Sequence, residues 1–340
     1  MRSPLPAAAG AALAAAAFLL APEVVVRGAA AASLVAPQGA GGAAPLLLWI
    51  WVVFLGLCVG SFLNVVIHRL PIMMQRQEFT WATEVLAADE TGGESLDVQV
   101  DAGAEHTAAG SGQEAERYNL MVPRSACPAC GHHISALENI PVLSWLALRG
   151  RCRGCGTAIS VRYPLIELLT CALTCVVVWL FGFTWAAVWI VLFTWALLAA
   201  AVIDLDHQLL PDSIVLPLLW LGLLVNLSGT FTTLDQAVIG AAAGYLTLWS
   251  LYWAFRLLTG REGMGYGDFK LLGAMGAWMG WAALPAIALL SSLTGLIGAA
   301  ALMLTGRMQR GTPMPFGPFI AAAGWLAMVL PAAGLGLPGL

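Results

Sequence analysis

From Pro164 almost to its C-terminal end the chain is apolar, broken only by short connections. About 20 consecutive apolar residues are needed to cross a hydrocarbon core of roughly 30 Å. Inside lipid every backbone N–H and C=O must find a partner within the protein, which restricts spanning segments to helices or closed barrels. A series of such stretches therefore confines the chain to a bundle of membrane helices. The composition agrees: 60% of residues are hydrophobic and 10% are charged, against about 25% charged in ordinary soluble domains. The net charge is −4 and no basic tract or basic–aromatic pattern is present, which leaves no nucleic-acid partner to consider.

The hydropathy pattern places a first span at 45–67 and others at 164–181, 185–203, 213–229, 236–257, 269–282, 285–305 and 316–335. The expected fold is an all-α polytopic membrane protein of about eight helices with a small cytoplasmic zinc-knuckle domain. Four regions follow: an Ala- and Gly-rich extension at 1–45, a first helix at 46–67, a polar block at 68–163 and a membrane domain at 164–340. Within the polar block, residues 87–116 hold eight acids and no Lys or Arg. That composition reads as a disordered insert. With 68–163 placed inside the cell, Arg256, Arg261, Lys270, Arg307 and Arg310 all fall in or beside inside connections. The outside connections carry no Lys or Arg, as the positive-inside rule requires.

Seven cysteines are present. Cys127-Pro-Ala-Cys130-Gly and Cys152-Arg-Gly-Cys155-Gly form two CxxC turns with 21 residues between them. Two such turns supply four thiolates to a tetrahedral Zn²⁺, although the gap is slightly longer than the usual 15–20. With all four positions filled by protein, the ion would fold the domain and hydrolyse nothing. A glycine after each second Cys lets the turn close. Redox-active or incidental cysteines are the alternative, and His132 and His133 are spare ligands. Cys58, Cys171 and Cys175 lie in apolar stretches and read as packing residues.

Acids at the edge of a membrane span are costly and mark functional sites. Asp204, Asp206 and Asp212 follow the third span, and Asp268, in Gly265-Tyr266-Gly267-Asp268, precedes the sixth. The topology brings both clusters to one membrane face. Two facing carboxylates can share a proton, one activating water and the other polarising a carbonyl. Asp204 ends its span more deeply than Asp206, so Asp204 and Asp268 are the expected pair. Helix capping is the plain alternative for Asp268 and Asp212, and Gly265 and Gly267 would let backbone approach a substrate. No HExxH or GxSxG motif offers another peptidase chemistry. A cation transporter using the same four acids, or a zinc-knuckle adaptor without catalysis, are the competing functions. Transporter carboxylates sit near the bilayer midplane, unlike these.

Several blocks resemble the type IV prepilin peptidases, membrane aspartyl enzymes of type IV pilus and type II secretion systems. They are Gly60-Ser-Phe-Leu-Asn64 through Arg69-Leu-Pro71, Pro123 through Pro141, Arg149 through Cys155, Arg162-Tyr163-Pro164 with Glu167, Asp204 with Leu210-Pro211-Asp212, and Gly265 through Lys270. The resemblance runs from about Leu46 to Trp325. It implies cleavage of the basic leader of prepilins and pseudopilins after a glycine, at the cytoplasmic face of the bacterial inner membrane. It also implies N-methylation of the new terminus with S-adenosylmethionine, associated with the cysteine-bearing domain. Asn64, Arg69, Glu138, Asn139, Arg149 and Arg162 are polar candidates for substrate or methyl-donor contact, with capping and interface anchoring as their alternative. No Rossmann-type glycine loop marks a nucleotide site.

Overall fold

The computed structural model describes residues 46–90, 118–135, 137–261, 263–306 and 314–335. The extension at 1–45 and nearly all of the acidic insert lie outside them. The described residues are helical, with no strand beyond two isolated bridges. In chain order the helices are α1 (Leu46–Glu90), α2 (Leu143–Ala147), α3 (Arg162–Phe181), α4 (Trp185–His207), α5 (Asp212–Val225), α6 (Leu234–Thr259), α7 (Tyr266–Met279), α8 (Leu284–Leu304) and α9 (Gly317–Val329).

The ends of these helices follow from local chemistry. The hydroxyl of Thr184 accepts from the Ala187 N–H at the start of α4, and that of Thr233 accepts from the Gln236 N–H at the start of α6. Gly182, Gly260 and Gly280 take positive φ where α3, α6 and α7 stop. Helix α1 continues through Pro71 well past residue 67 and has 45 residues, about 67 Å at 1.5 Å per residue. That is more than twice the thickness of a hydrocarbon core.

The sequence suggests eight spans. Five described segments are long and apolar enough to cross a membrane: Leu46–Thr83, Arg162–Phe181, Trp185–His207, Leu234–Thr259 and Trp281–Leu304. Helices α5, α7 and α9 have 14, 14 and 13 residues, each about 20 Å long. They are shorter than the usual span, and they differ in burial: α5 leaves Leu216, Trp220 and Leu224 exposed, whereas α7 is enclosed by protein. In α7, Phe269, Leu271, Ala274, Met275, Ala277 and Trp278 are all fully buried. A helix that is apolar all round belongs in a core. Its neighbours are α5, α6 and α9. The indole of Trp278 donates to the Leu218 carbonyl at 2.9 Å and packs on Phe193. Asn226 donates to the carbonyls of Ala277 and Trp278, and so satisfies the C-terminal end of α7 from the end of α5.

The α6–α7 contact is backbone on backbone. Gly240 and Gly276 face each other, and a Cβ on Gly276 would collide with the carbonyl of Gly240. Gly244 meets Leu272 and Gly273 in the same way. Small residues allow this close approach between membrane helices. Gly276→Ala should therefore force α7 off α6 and cost about 1–3 kcal/mol, the usual range for overpacking. A lowered melting temperature of the detergent-solubilised protein checks this, and a wild-type value would refute it.

Candidate active site

The last turn of α4 carries Asp204 and the first turn of α7 carries Asp268. Helix α4 closes after His207, where Gln208 adopts a left-handed conformation and its N–H returns to the Asp204 carbonyl at 2.9 Å. The chain then passes Leu210 and Pro211 into α5. Leu210 is the hub that joins the two acids. A Cβ on Gly267 would stand 2.7 Å from the Leu210 Cβ, and one on Gly317 would stand 3.2 Å from its Cδ1. Gly267 therefore serves the packing of α7 on Leu210 rather than the approach of a substrate. Gly265 has open space around it.

Burial separates the four acids of this region. Asp204 and Asp268 are 5% and 7% exposed, and the two carboxylates are close enough to feel each other's charge. Asp206 instead pairs with Arg162 at the start of α3. Asp212 takes Lys270 of α7 on both oxygens at 2.7 Å. These two ion pairs join α3 to α4 and α5 to α7 beside the buried acids. Neither Asp268 nor Asp212 is a helix cap: the cap positions are Gly265 and Pro211. Asp268 sits inside the first turn, so capping does not account for it.

A further contact has no signal in residue type. The backbone N–H of Gly317, at the start of α9, donates to Asp204 Oδ2 at 3.0 Å. The end of α4 thus meets the positive end of a third helix.

The cysteine-bearing segment consists of two similar knuckles. Each is closed by an antiparallel bridge, Ala126 with His133 and Arg151 with Ala158. In each, the N–H of the glycine after the second Cys returns to the first Cys carbonyl, Gly131 to Cys127 and Gly156 to Cys152. Both glycines have positive φ, 71° and 74°, which other residues adopt only with strain. Cys127, Cys130, Cys152 and Cys155 are all free thiols, with their sulfurs within 4.8 Å of one another. The Cys127–Cys155 and Cys130–Cys152 separations are 3.8 and 3.9 Å. Four sulfurs at 2.3 Å from one tetrahedral ion would lie about 3.8 Å apart, so the donor set fits a metal ion. The sulfurs also bear on one another's ionisation. Hydrogen bonds from the Thr157 hydroxyl and backbone bring the Cys155 thiol down to about 6. The His132 backbone favours the Cys130 thiolate, but the adjoining Cys155, Cys127 and Cys152 sulfurs outweigh it and push that thiol up to about 12.

The other polar candidates from the sequence turn out to hold structure together. Asn64 donates to the Tyr163 carbonyl, and Arg69 donates to the carbonyls of Asn119 and Pro123. Asn64 thus fastens the start of α3 to α1, and Arg69 fastens the chain before the first knuckle to α1. Glu138 joins the knuckles, receiving His132 from one and Arg153 from the other. The Ser135 N–H and then His132 hold its carboxyl down at about 2. His133 lies in a bridge and is not drawn to the sulfurs. Glu167, buried on α3, accepts from the Val142 N–H at 2.7 Å and links the membrane helices to the cysteine segment. Asn139 and Arg149 are exposed. Among the transmembrane cysteines, Cys171 lies against the Val53 carbonyl, a packing contact.

Fold and site together describe a polytopic helical membrane protein with two buried carboxylates at the meeting of three helices and a four-thiol segment attached. The Bacterial Peptidase A24 N-terminal domain matches residues 54–181, and the Type IV leader peptidase family matches residues 191–300. A protein of Aeromonas salmonicida (strain A449) named prepilin leader peptidase/N-methyltransferase is 54% identical over 284 residues, 83% of this chain and 91% of its own length. Proteins of the same name from Stutzerimonas stutzeri and Pseudomonas aeruginosa are each 52% identical over 285 residues, 84% of this chain and 91% of their own length. No solved structure matches the chain. The chain belongs to the type IV leader peptidase family. It is an enzyme, a peptidase with a methyltransferase activity; the cation-transport reading of the same acids finds no support in these relatives.

Proposed function

We propose that Asp204 and Asp268 form the proton-sharing pair that hydrolyses the leader peptide bond of type IV prepilins. The observation that carries this is their joint burial: two acids from distant parts of the chain are brought together, while Asp206 and Asp212 are each paired with a cation. A buried pair of like charges favours a state in which only one is ionised. The ionised carboxylate takes a proton from water as the water oxygen bonds to the scissile carbonyl carbon. The protonated one donates to the carbonyl oxygen, as in other carboxylate dyads. Collapse of the tetrahedral intermediate breaks the C–N bond, and the leaving amine takes a proton from the site. The titration belongs to the pair as a whole.

The ion held by Cys127, Cys130, Cys152 and Cys155 is proposed to be Zn²⁺. With four thiolates it has no open position for water and acts by folding the segment. S-adenosylmethionine is the co-substrate of the second activity and supplies the methyl group that the freed N-terminal amine receives. By family resemblance the substrates extend to type II secretion pseudopilins, cut after a glycine. By the same resemblance the membrane is the bacterial inner membrane, and the distribution of Arg and Lys supports an orientation with the aspartates and the cysteine segment on the cytoplasmic side. The test is direct. Purified protein in lipid nanodiscs should remove the leader from a full-length prepilin. On addition of S-adenosylmethionine, the product should gain the net mass of one CH2, a methyl group replacing one hydrogen of the freed amine. Recovery of intact prepilin under conditions where the protein remains folded would overturn the assignment.

A further inference from the structure

We infer that Gly317 is a positioning residue for cleavage: its N–H and its missing side chain together fix the Asp204 carboxylate against Asp268. The inference rests on the dyad reading above and assigns a part of the machinery to α9, an element outside the matched peptidase region at 191–300.

Two features of Gly317 act on the same oxygen. Its N–H donates to Asp204 Oδ2 at 3.0 Å in a buried setting. Hydrogen bonds to an ionised acceptor are stronger than neutral ones. A Cβ built on Gly317 would stand 2.6 Å from that same Oδ2 and 3.2 Å from the Asp204 Cγ. Any larger residue here must displace the carboxylate. Gly317 is absent from the glycines with positive φ, so its backbone suits alanine and only the contact with Asp204 requires glycine.

The register of α9 aims this group. Trp325 donates from its indole to Thr194 Oγ1 of α4 at 2.9 Å. Gly324 lies directly against Met275 of α7. Helix α9 is therefore fastened to the two helices that carry the acids, and its first residue meets Asp204 where they converge. A shift of about 1 Å in a catalytic group lowers rates by about a hundredfold, so this fastening bears on chemistry as well as stability.

The two activities of the enzyme give the test its internal control. Gly317→Ala should lower the turnover number for leader cleavage at least tenfold, with the Michaelis constant within about twofold of wild type, in keeping with a displaced catalytic group. Methylation of an already cleaved pilin, a reaction in which the proposed dyad has no part, should be unchanged in the same preparation. Gly295→Ala, on the α8 face against Phe316, adds a Cβ no closer than 3.4 Å to any neighbour. It should leave both activities as they are. Asp204→Asn is run beside them. If that variant cleaves normally, the dyad reading itself fails. If it is inactive and Gly317→Ala cleaves normally, the positioning role alone is overturned. Should Gly317→Ala lose both activities through misfolding, Trp325→Phe decides the question. It keeps an aromatic ring at the position and removes the bond to Thr194 together with the smaller ring of the indole. Selective loss of cleavage there supports the inference, and unchanged cleavage overturns it.

Discussion

Asp204→Asn and Asp268→Asn, made separately, should each reduce leader cleavage by at least about a thousandfold, because each removes a group that holds or releases a proton in the proposed mechanism. Asparagine has nearly the shape of aspartate and its carbonyl can still accept the Gly317 N–H, so the variants should accumulate in the membrane. The double variant should be no worse than the more damaged single one, since residues that act as a unit are not additive. Asp206→Asn and Asp212→Asn make the contrast. They break the ion pairs with Arg162 and Lys270, whose side chains are 45% and 28% exposed. Exposed pairs of this kind contribute about 0–1 kcal/mol, and cleavage should stay within about threefold of wild type. Cleavage is read as the mass of the processed pilin, and methylation of a cleaved pilin confirms that each variant is folded. Ordinary cleavage by either buried-acid variant would remove that residue from the mechanism.

The positions of the membrane helices were legible because each apolar run is bounded by Gly, Pro or polar residues. The expected spans at 164–181 and 285–305 correspond to helices at Arg162–Phe181 and Leu284–Leu304. Length was less legible. Hydropathy reports that a segment avoids water, and it cannot separate lipid from a protein interior, so the short buried α7 resembles a span. Helix α1 was hidden for the opposite reason. Beyond residue 67 its sequence turns polar, and a helix leaving an apolar environment has no hydropathy signature. The acids at Asp204 and Asp268 stood out by type and location. What held them did not. Nor did what sets them apart from Asp206 and Asp212: the partners of those two, Arg162 and Lys270, are ordinary interfacial cations until the fold shows which acid each one faces. Gly317 acts through a backbone N–H that every residue but proline has, and only three-dimensional proximity gives it meaning. Glu138 was visible as a polar candidate, but its role in tying together two knuckles depends on His132 and Arg153 arriving from opposite sides.

Loss of a cysteine ligand should separate the two activities from the other side. Cys127→Ser and Cys152→Ser each replace a thiolate by a hydroxyl that stays protonated, and bound metal should fall from about one ion per chain to below about a fifth, since Zn²⁺ needs deprotonated ligands. Polar contacts apart, the segment around the knuckles buries little apolar surface. Helix α2 contains no buried residue, and Met121, Val122, Leu143 and Leu146 are exposed. Structural zinc contributes about 10–16 kcal/mol of apparent binding energy in small knuckle domains, far more than the Glu138 bridge can replace. Trypsin should then cut faster at Arg149, Arg151 and Arg153, whose side chains are exposed but whose backbone is held in turns and a bridge while the knuckles are folded. Methylation should be lost with the fold of the segment. Cleavage should survive, because the dyad is held by α4, α7 and α9, none of which depends on a cysteine. Cys171→Ser, which alters a sulfur lying against the Val53 carbonyl within the bundle, should retain the metal. Metal content is measured by atomic emission on purified protein. A full complement of metal in Cys127→Ser would sink the four-thiolate site. Equal loss of cleavage and methylation in a metal-free but otherwise stable variant would show that the dyad needs the knuckles, against the division of labour argued from their separate supports.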